Sequence, residues 1–220
     1  MLLDFIRNGS HISFEYLMIS FLSVMLVMFV SLPVHEFAHA FVAHKCGDDT
    51  AKYQGRLTLN PLKHLDPMGT LMIFLIGFGY AKPVPVNYYN FNKPKRDSIL
   101  VSLAGPMSNF LLAFLSMGIL KIVTVVASPS SVAVSYVTLF LYMFIVSNIS
   151  LMIFNLLPIP PLDGSHILSG LLPVKASRFF EQYAGIFQIA LYVLMFTGAL
   201  SYPISMLSDV VYKLLYHIFF

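Results

Sequence analysis

Residues 34–39 read VHEFAH. His35 and His39 are four residues apart. On a helix that is about 400° of rotation, so both side chains project from nearly one face. Two imidazoles at that spacing can bind a single zinc ion. Glu36 follows the first histidine and can reach a water on such a metal, taking the proton whose pKa the metal has lowered. The chemistry would be metal-assisted hydrolysis. A polar helix end at a membrane surface is the plainer alternative. The position of the set argues for the chemical reading. It closes residues 16–34, a stretch without a charge, and a charge at membrane depth costs about 2.5–3.5 kcal/mol on insertion scales unless it is compensated.

A catalytic zinc site needs a third protein ligand and an open position. The glutamates are Glu15, Glu36 and Glu181, and Glu181 opens a later apolar run. The better candidate is Asp163, in NLLPIPPLDG (155–164), which is the only acid between Asp97 and Glu181. The prolines at 158, 160 and 161 end the preceding helix, and Gly164 permits a sharp turn, so Asp163 can point back toward the histidines. An ordinary Asp-Gly turn at a helix exit is the alternative for this motif.

These residues must be positioned by membrane helices. Hydrophobic residues make up 58% of the 220-residue chain and charged residues 10%, against about 25% charged in soluble domains. Mean hydropathy is +0.80. The chain therefore reads as an all-α, polytopic integral membrane protein forming a single domain over residues 1–220. Uncharged runs place spans at 16–34, 98–120, 136–157 and 182–200, each near the ~20 residues needed to cross. We expect about four to six transmembrane helices in all. The first run reads as a retained helix, because only Arg7 precedes it and no small-residue cleavage site follows. Residues 67–81 are uncharged but Gly-rich and short, and predict a re-entrant segment or a β-hairpin after the first helix. KPVPVN (82–87) must be extended. Residues 203–220 carry Asp209 and Lys213, which favours an interfacial helix over a span. Basic residues gather in the loop after the first span and in the loop holding Lys175 and Arg178, which puts both on the cytoplasmic side. Net charge is +3 and spread over loops, so no nucleic-acid surface is read. Cys46, the single cysteine, reads as a small buried residue.

With VHEFAH and NLLPIPPLDG in one membrane chain, the sequence resembles the site-2 protease family of intramembrane zinc metalloproteases, over roughly residues 16–170. The resemblance implies one Zn2+ per chain, with His35, His39 and Asp163 as ligands and Glu36 as the base. Asn155 and Pro158 match the second motif. AGPMSN (104–109) matches a G-P-x-x-N stretch on the intervening helix, which puts Asn109 near the site or, alternatively, makes its small neighbours a packing surface. His64 and Asp66 lie in an HxDP-like stretch of the same family. His166, in LDGSHI where many members read LDGG, is expected beside the site rather than on the metal. His44 faces away from the His35–His39 face. The extended stretch 80–91 lies where the family is thought to hold substrate, and an exposed edge there could take an unwound peptide by strand addition. The implied activity is hydrolysis of peptide bonds in or near transmembrane segments. The partners implied are a transmembrane protein or peptide substrate and the lipid bilayer, in a bacterial or archaeal cell membrane with the site toward the cytoplasm. The alternatives are a metal-binding membrane transporter and a relative that binds membrane proteins without cutting them. No feature specifies an oligomeric state.

Overall fold

The computed structural model describes residues 14–76, 79, 81–127 and 131–220. Ten helices are labelled here. They are α1 (Phe14–Lys45), α2 (Thr50–Tyr53), α3 (Pro61–His64), α4 (Pro67–Ile76), α5 (Pro94–Val126), α6 (Val132–Asn155), α7 (Asp163–Leu171), α8 (Val174–Gln182), α9 (Ala184–Phe196) and α10 (Ser201–Phe219). The protein is an all-α membrane protein. Helices α1, α5 and α6 are each long and apolar enough to cross a bilayer. At 33 residues, α5 is roughly 50 Å long and extends well past the hydrocarbon layer.

The expected fourth span, 182–200, is not one straight helix. Helices α8 and α9 meet there at a 60° bend, and the pair counts as a span only if taken together. The described helices thus supply three such spans, or four with the bent pair, against the four to six expected.

Helix α5 is the hub, packing against α1, α6, α7 and α10. Ala113, Met117 and Leu120 of α5 meet Leu141, Ile145, Ile149 and Met152 of α6 and Leu215 of α10 in one buried cluster. These positions recur at three- and four-residue intervals, the stripe by which one helix face seats on another. Leu111, Leu115, Ile119 and Ile122 of α5 form a second stripe at the same spacing and are half or more exposed, which is the face a bilayer would cover. A smaller cluster of Ala43, Cys46, Phe91 and Val101, with Val42 and Val86 against it, ties the end of α1 and the 86–91 loop to the start of α5. Cys46 is buried, as expected.

A second stretch also differs from expectation. Residues 67–76 are helical (α4), and no strand occurs among the described residues; the sole β feature there is an isolated antiparallel bridge, Leu65–Ala81. Ten helical residues rise only about 15 Å, half a bilayer core, and the bridge brings the two ends of the excursion together. The described part of the segment is therefore built from a helix, not a β-hairpin. Residues 77, 78 and 80 of the expected segment lie outside the described residues. Helix α10, expected to be interfacial, is not among the helices long and apolar enough to cross a bilayer. It packs on α5 and α6: Ser208 meets Ser150 at 3.1 Å, and the rings of Tyr212 and Phe219 meet those of Tyr142 and Phe114 edge to face. These contacts lie between Ser208 and Phe219, and Asp209 and Lys213 are both exposed.

Candidate metal centre

Helix α1 is not α-helical throughout. Residues Val27–Ser31 form a π turn, closed by the Leu32 N–H bonding to Val27 O. Pro33 follows and has no N–H to offer the preceding turn, so a wider turn is a natural way for the helix to pass it. Regular α-helix resumes at Leu32 and carries VHEFAH. His35 and His39 then lie one turn apart, both buried.

Their imidazoles stand nearly perpendicular, with centroids 4.7 Å apart and Nε2 atoms 3.0 Å apart. Asp163 Oδ2 lies 3.3 Å from His35 Nε2 and 3.4 Å from His39 Nε2. Among the described residues this is the one group of three side chains that could hold a metal. Tetrahedral zinc with bonds of about 2.0–2.1 Å sets its ligand atoms about 3.3 Å from one another, and the three distances match that figure.

Protonation points the same way. His39 Nδ1 donates to the carbonyl of Val101 at 2.7 Å, and His35 Nδ1 to Asn109 Oδ1 at 2.8 Å. With the proton on Nδ1, each neutral ring turns an Nε2 lone pair inward. Two lone pairs and the Asp163 carboxylate thus converge, and Asp163 Oδ2 has no hydrogen-bond partner. Three acceptors facing one another suit a cation between them.

Helix α5 supplies the floor. Pro106 removes the amide that would bond Ser102 O, which loosens that turn. Just before it, Val101 O accepts the His39 bond. A Cβ built on Gly105 would lie 2.5 Å from His35 Nε2 and closer still to His39 Nε2. Glycine is the residue that leaves room there. Gly164 does the same for Asp163: a Cβ would lie 2.5 Å from the carbonyl carbon of Leu156 and closer to its oxygen, so the chain after α6 folds back tightly enough to bring Asp163 to α1.

The other predicted residues divide. Asn109 is fully buried and touches His35. Glu36 accepts from the backbone N–H of Val84 at 2.9 Å, so the base candidate lies under the extended 82–87 stretch. His166 is not in the three-residue group; it stacks on Tyr88 with centroids 5.5 Å apart, its Nδ1 3.3 Å from the Tyr88 hydroxyl. Burial, and then the Asp163 charge, push the Tyr88 hydroxyl up to about 12; burial lowers His166. His64 is fully buried, its Nε2 on Thr58 O at 2.7 Å and its own carbonyl on Lys82 N–H. Asp66 accepts from Met68 and Gly69 N–H, which caps α4. Asn155 donates to Leu151 O one turn back in its own helix, a bond that serves α6. Glu181 is exposed and outside the three-residue group, and His44 is half-buried and pairs with Asp49. Gly105, Val101 O, Val84 and Tyr88 were not singled out from sequence. The Gly-Pro step inside an uncharged span was the signal available for the first two.

The profile of peptidase family M50 matches residues 23–126 and 116–198. The chain is 47% identical over 174 residues to "Putative zinc metalloprotease YwhC" of Bacillus subtilis, covering 77% of this chain and 80% of that protein. It is 35% identical over 163 residues to "Putative zinc metalloprotease Rip2" of Mycolicibacterium smegmatis, covering 72% and 60%. A protein of the archaeon Methanocaldococcus jannaschii, "Putative zinc metalloprotease MJ0611", is 28% identical over 137 residues, covering 61% and 62%. No solved structure matches. Zinc is the metal in each of these names, and it is the metal that the His35, His39 and Asp163 donors fit. The extent of the match and the identity to YwhC together show that the chain belongs to peptidase family M50, the site-2 protease family of zinc metalloproteases.

Proposed function

We propose that this chain hydrolyses peptide bonds in or near the transmembrane segments of other membrane proteins, with His35, His39 and Asp163 holding zinc and Glu36 as the base. One observation carries the proposal. Two of the three converging acceptors, His35 and His39, and the adjacent Glu36 sit on a helix long and apolar enough to span a bilayer, and Asp163 joins them from α7, which supports a substrate peptide bond that is met in or near the membrane. Zinc, when bound, would polarise the scissile carbonyl and lower the pKa of a water. The chain supplies the rest. Glu36 takes a proton from that water and returns it to the departing amine nitrogen. Asn109 and Val101 O keep both histidines in the tautomer that presents Nε2. The Lys and Arg distribution supports a site toward the cytoplasm, and the bacterial and archaeal relatives support a prokaryotic cell membrane. Substrates would be single-pass membrane proteins or residual signal peptides.

The test pairs composition with activity. Detergent-purified wild type is expected to hold near one zinc per chain, and Asp163→Ala much less. Glu36→Gln is expected to keep the metal and cleave no transmembrane peptide that wild type cleaves. Undiminished zinc in Asp163→Ala, or wild-type cleavage by Glu36→Gln, would overturn the assignment.

A further inference from the structure

We infer that the backbone N–H of Val84 is the positioning donor for the Glu36 carboxylate, and that the loops around His64 and Arg56 hold it in place. This rests on the proteolytic reading above. The contact is direct, Val84 N to Glu36 Oε2 at 2.9 Å. Its surroundings in KPVPVN single it out. Pro83 and Pro85 have no amide hydrogen, so Val84 carries the one N–H of that tripeptide, and the prolines confine the chain to an extended path.

Each side of this donor is pinned. Upstream, the Lys82 N–H bonds to His64 O at 2.8 Å, the Lys82 carbonyl accepts from Arg56 Nη2 at 2.5 Å, and Ala81 bridges to Leu65. His64, at the end of α3, and Arg56 are buried polar residues at 0% and 6% exposure, well away from solvent for a histidine and an arginine. Downstream, the Asn87 N–H bonds to Asp48 Oδ2 at 2.7 Å and the Asn90 amide to Asp48 Oδ1 at 2.8 Å. Asp48 lies three residues past the end of α1, so the stretch is tied back to the helix that carries Glu36. Held in this way, Oε2 is committed to Val84 and Oε1 is the oxygen free to exchange a proton. A base fixed within about 0.5 Å is what proton transfer requires.

Val84→Pro removes the donor from a chain already extended, and Val84→Ala keeps it. Assayed on quenched-fluorescent single-pass transmembrane peptides in nanodiscs, Val84→Pro is expected to lower kcat about 10–100-fold, the usual effect of deleting such a supporting contact. KM should stay within about twofold and zinc content should match wild type. Val84→Ala should behave as wild type. Arg56→Gln, which loosens the same stretch, should lower kcat in the same sense with zinc retained. Amide exchange supplies a reading without substrate. A peptide fragment confined to residues 83–85 reports Val84 alone, because its neighbours have no amide hydrogen. Its exchange should be slow in wild type and in Glu36→Gln, which keeps an acceptor, and at least 10-fold faster in Glu36→Ala. Wild-type kcat in Val84→Pro, or a loss confined to KM or to zinc, overturns the inference. So does exchange that is equally fast in wild type and Glu36→Ala. If wild type cleaves no peptide in the panel, the proteolytic reading fails on its own, and the exchange series still decides the contact.

Discussion

Gly105→Ala tests the metal centre with a single methyl group. A Cβ at that position would stand 2.5 Å from His35 Nε2 and His35 Cε1, and nearer to His39 Nε2. Ordinary van der Waals contact begins at 3.4 Å, so both rings must give way, His35 by about 0.9 Å and His39 by about 1.1 Å. Neither ring is free to do so, since each is held through Nδ1 at 2.7–2.8 Å by Val101 O or Asn109. Retreat breaks one of those bonds or moves one Nε2 out of a triangle whose edges are 3.0, 3.3 and 3.4 Å. A zinc–nitrogen bond is only about 2.0–2.1 Å long, so a shift near 1 Å forfeits most of that bond. Zinc affinity is expected to fall at least about 100-fold, or about 2.7 kcal/mol. The fold should survive, because alanine within a helix is favoured over glycine by roughly 0.5–1 kcal/mol. Gly118→Ala in the same helix is the control. Its Cβ would meet only the Phe219 ring edge at 3.3 Å, and zinc binding should be unchanged. The assay is metal content after dialysis against a competing chelator, with thermal unfolding alongside. Gly105→Ala that holds zinc as wild type does would refute the cradle and the placement of the metal between these rings.

Asn109→Ala removes the acceptor for the His35 Nδ1 proton and should weaken zinc binding about 10–100-fold, while Asn109→Asp, which keeps an acceptor, should lose far less; chelator competition separates the two. A strong zinc chelator should abolish peptide cleavage and added zinc should restore it, without global unfolding by circular dichroism, because the core of α5, α6 and α10 is built without the metal. Asp48 gives a pH prediction. Burial would raise its pKa, but bonds from Thr50, Asn87 and Asn90 together hold it below the ordinary value. A carboxyl lowered on folding stabilises above its unfolded pKa of about 3.9, and that contribution is lost as pH falls through the lower folded value. Amide protection in residues 84–91 should therefore hold from pH 7 to about 4 and fall below that, and Asp48→Asn should show reduced protection at pH 7 and a flatter acid response.

Local rules carried much of this site. The His35–His39 spacing needs only helical geometry, and Asp163 stands out because acids are scarce in this chain. The uncharged runs locate α1, α5 and α6 because the cost of burying charge acts residue by residue. What sequence did not disclose depends on contacts between distant segments. Glu36 receives Val84 across 48 positions, and nothing in either stretch names the other. Gly105 looked like a packing glycine, since its effect appears only once two rings from α1 are placed against it. Helix α10 seats Ser208, Tyr212 and Leu215 on α5 and α6, contacts that the charges of Asp209 and Lys213 do not announce. The 182–200 run has the composition of a span, but composition does not register the bend between α8 and α9.

The π turn at Val27–Ser31 has a consequence for register. It accommodates one extra residue in a single helix, and each residue is worth about 100° of rotation. Above it, α1 faces α6, as in the Ser20–Met143 contact; below it, α1 faces α5 through His35 and His39. The turn works as a swivel that lets two halves of one helix serve two partners. Deleting one residue between Val27 and Ser31 would leave every metal-centre and base residue in the chain, yet turn the histidines about 100° away from Gly105 and Asp163. The order of residues in VHEFAH would be untouched, and the place it points to would be lost.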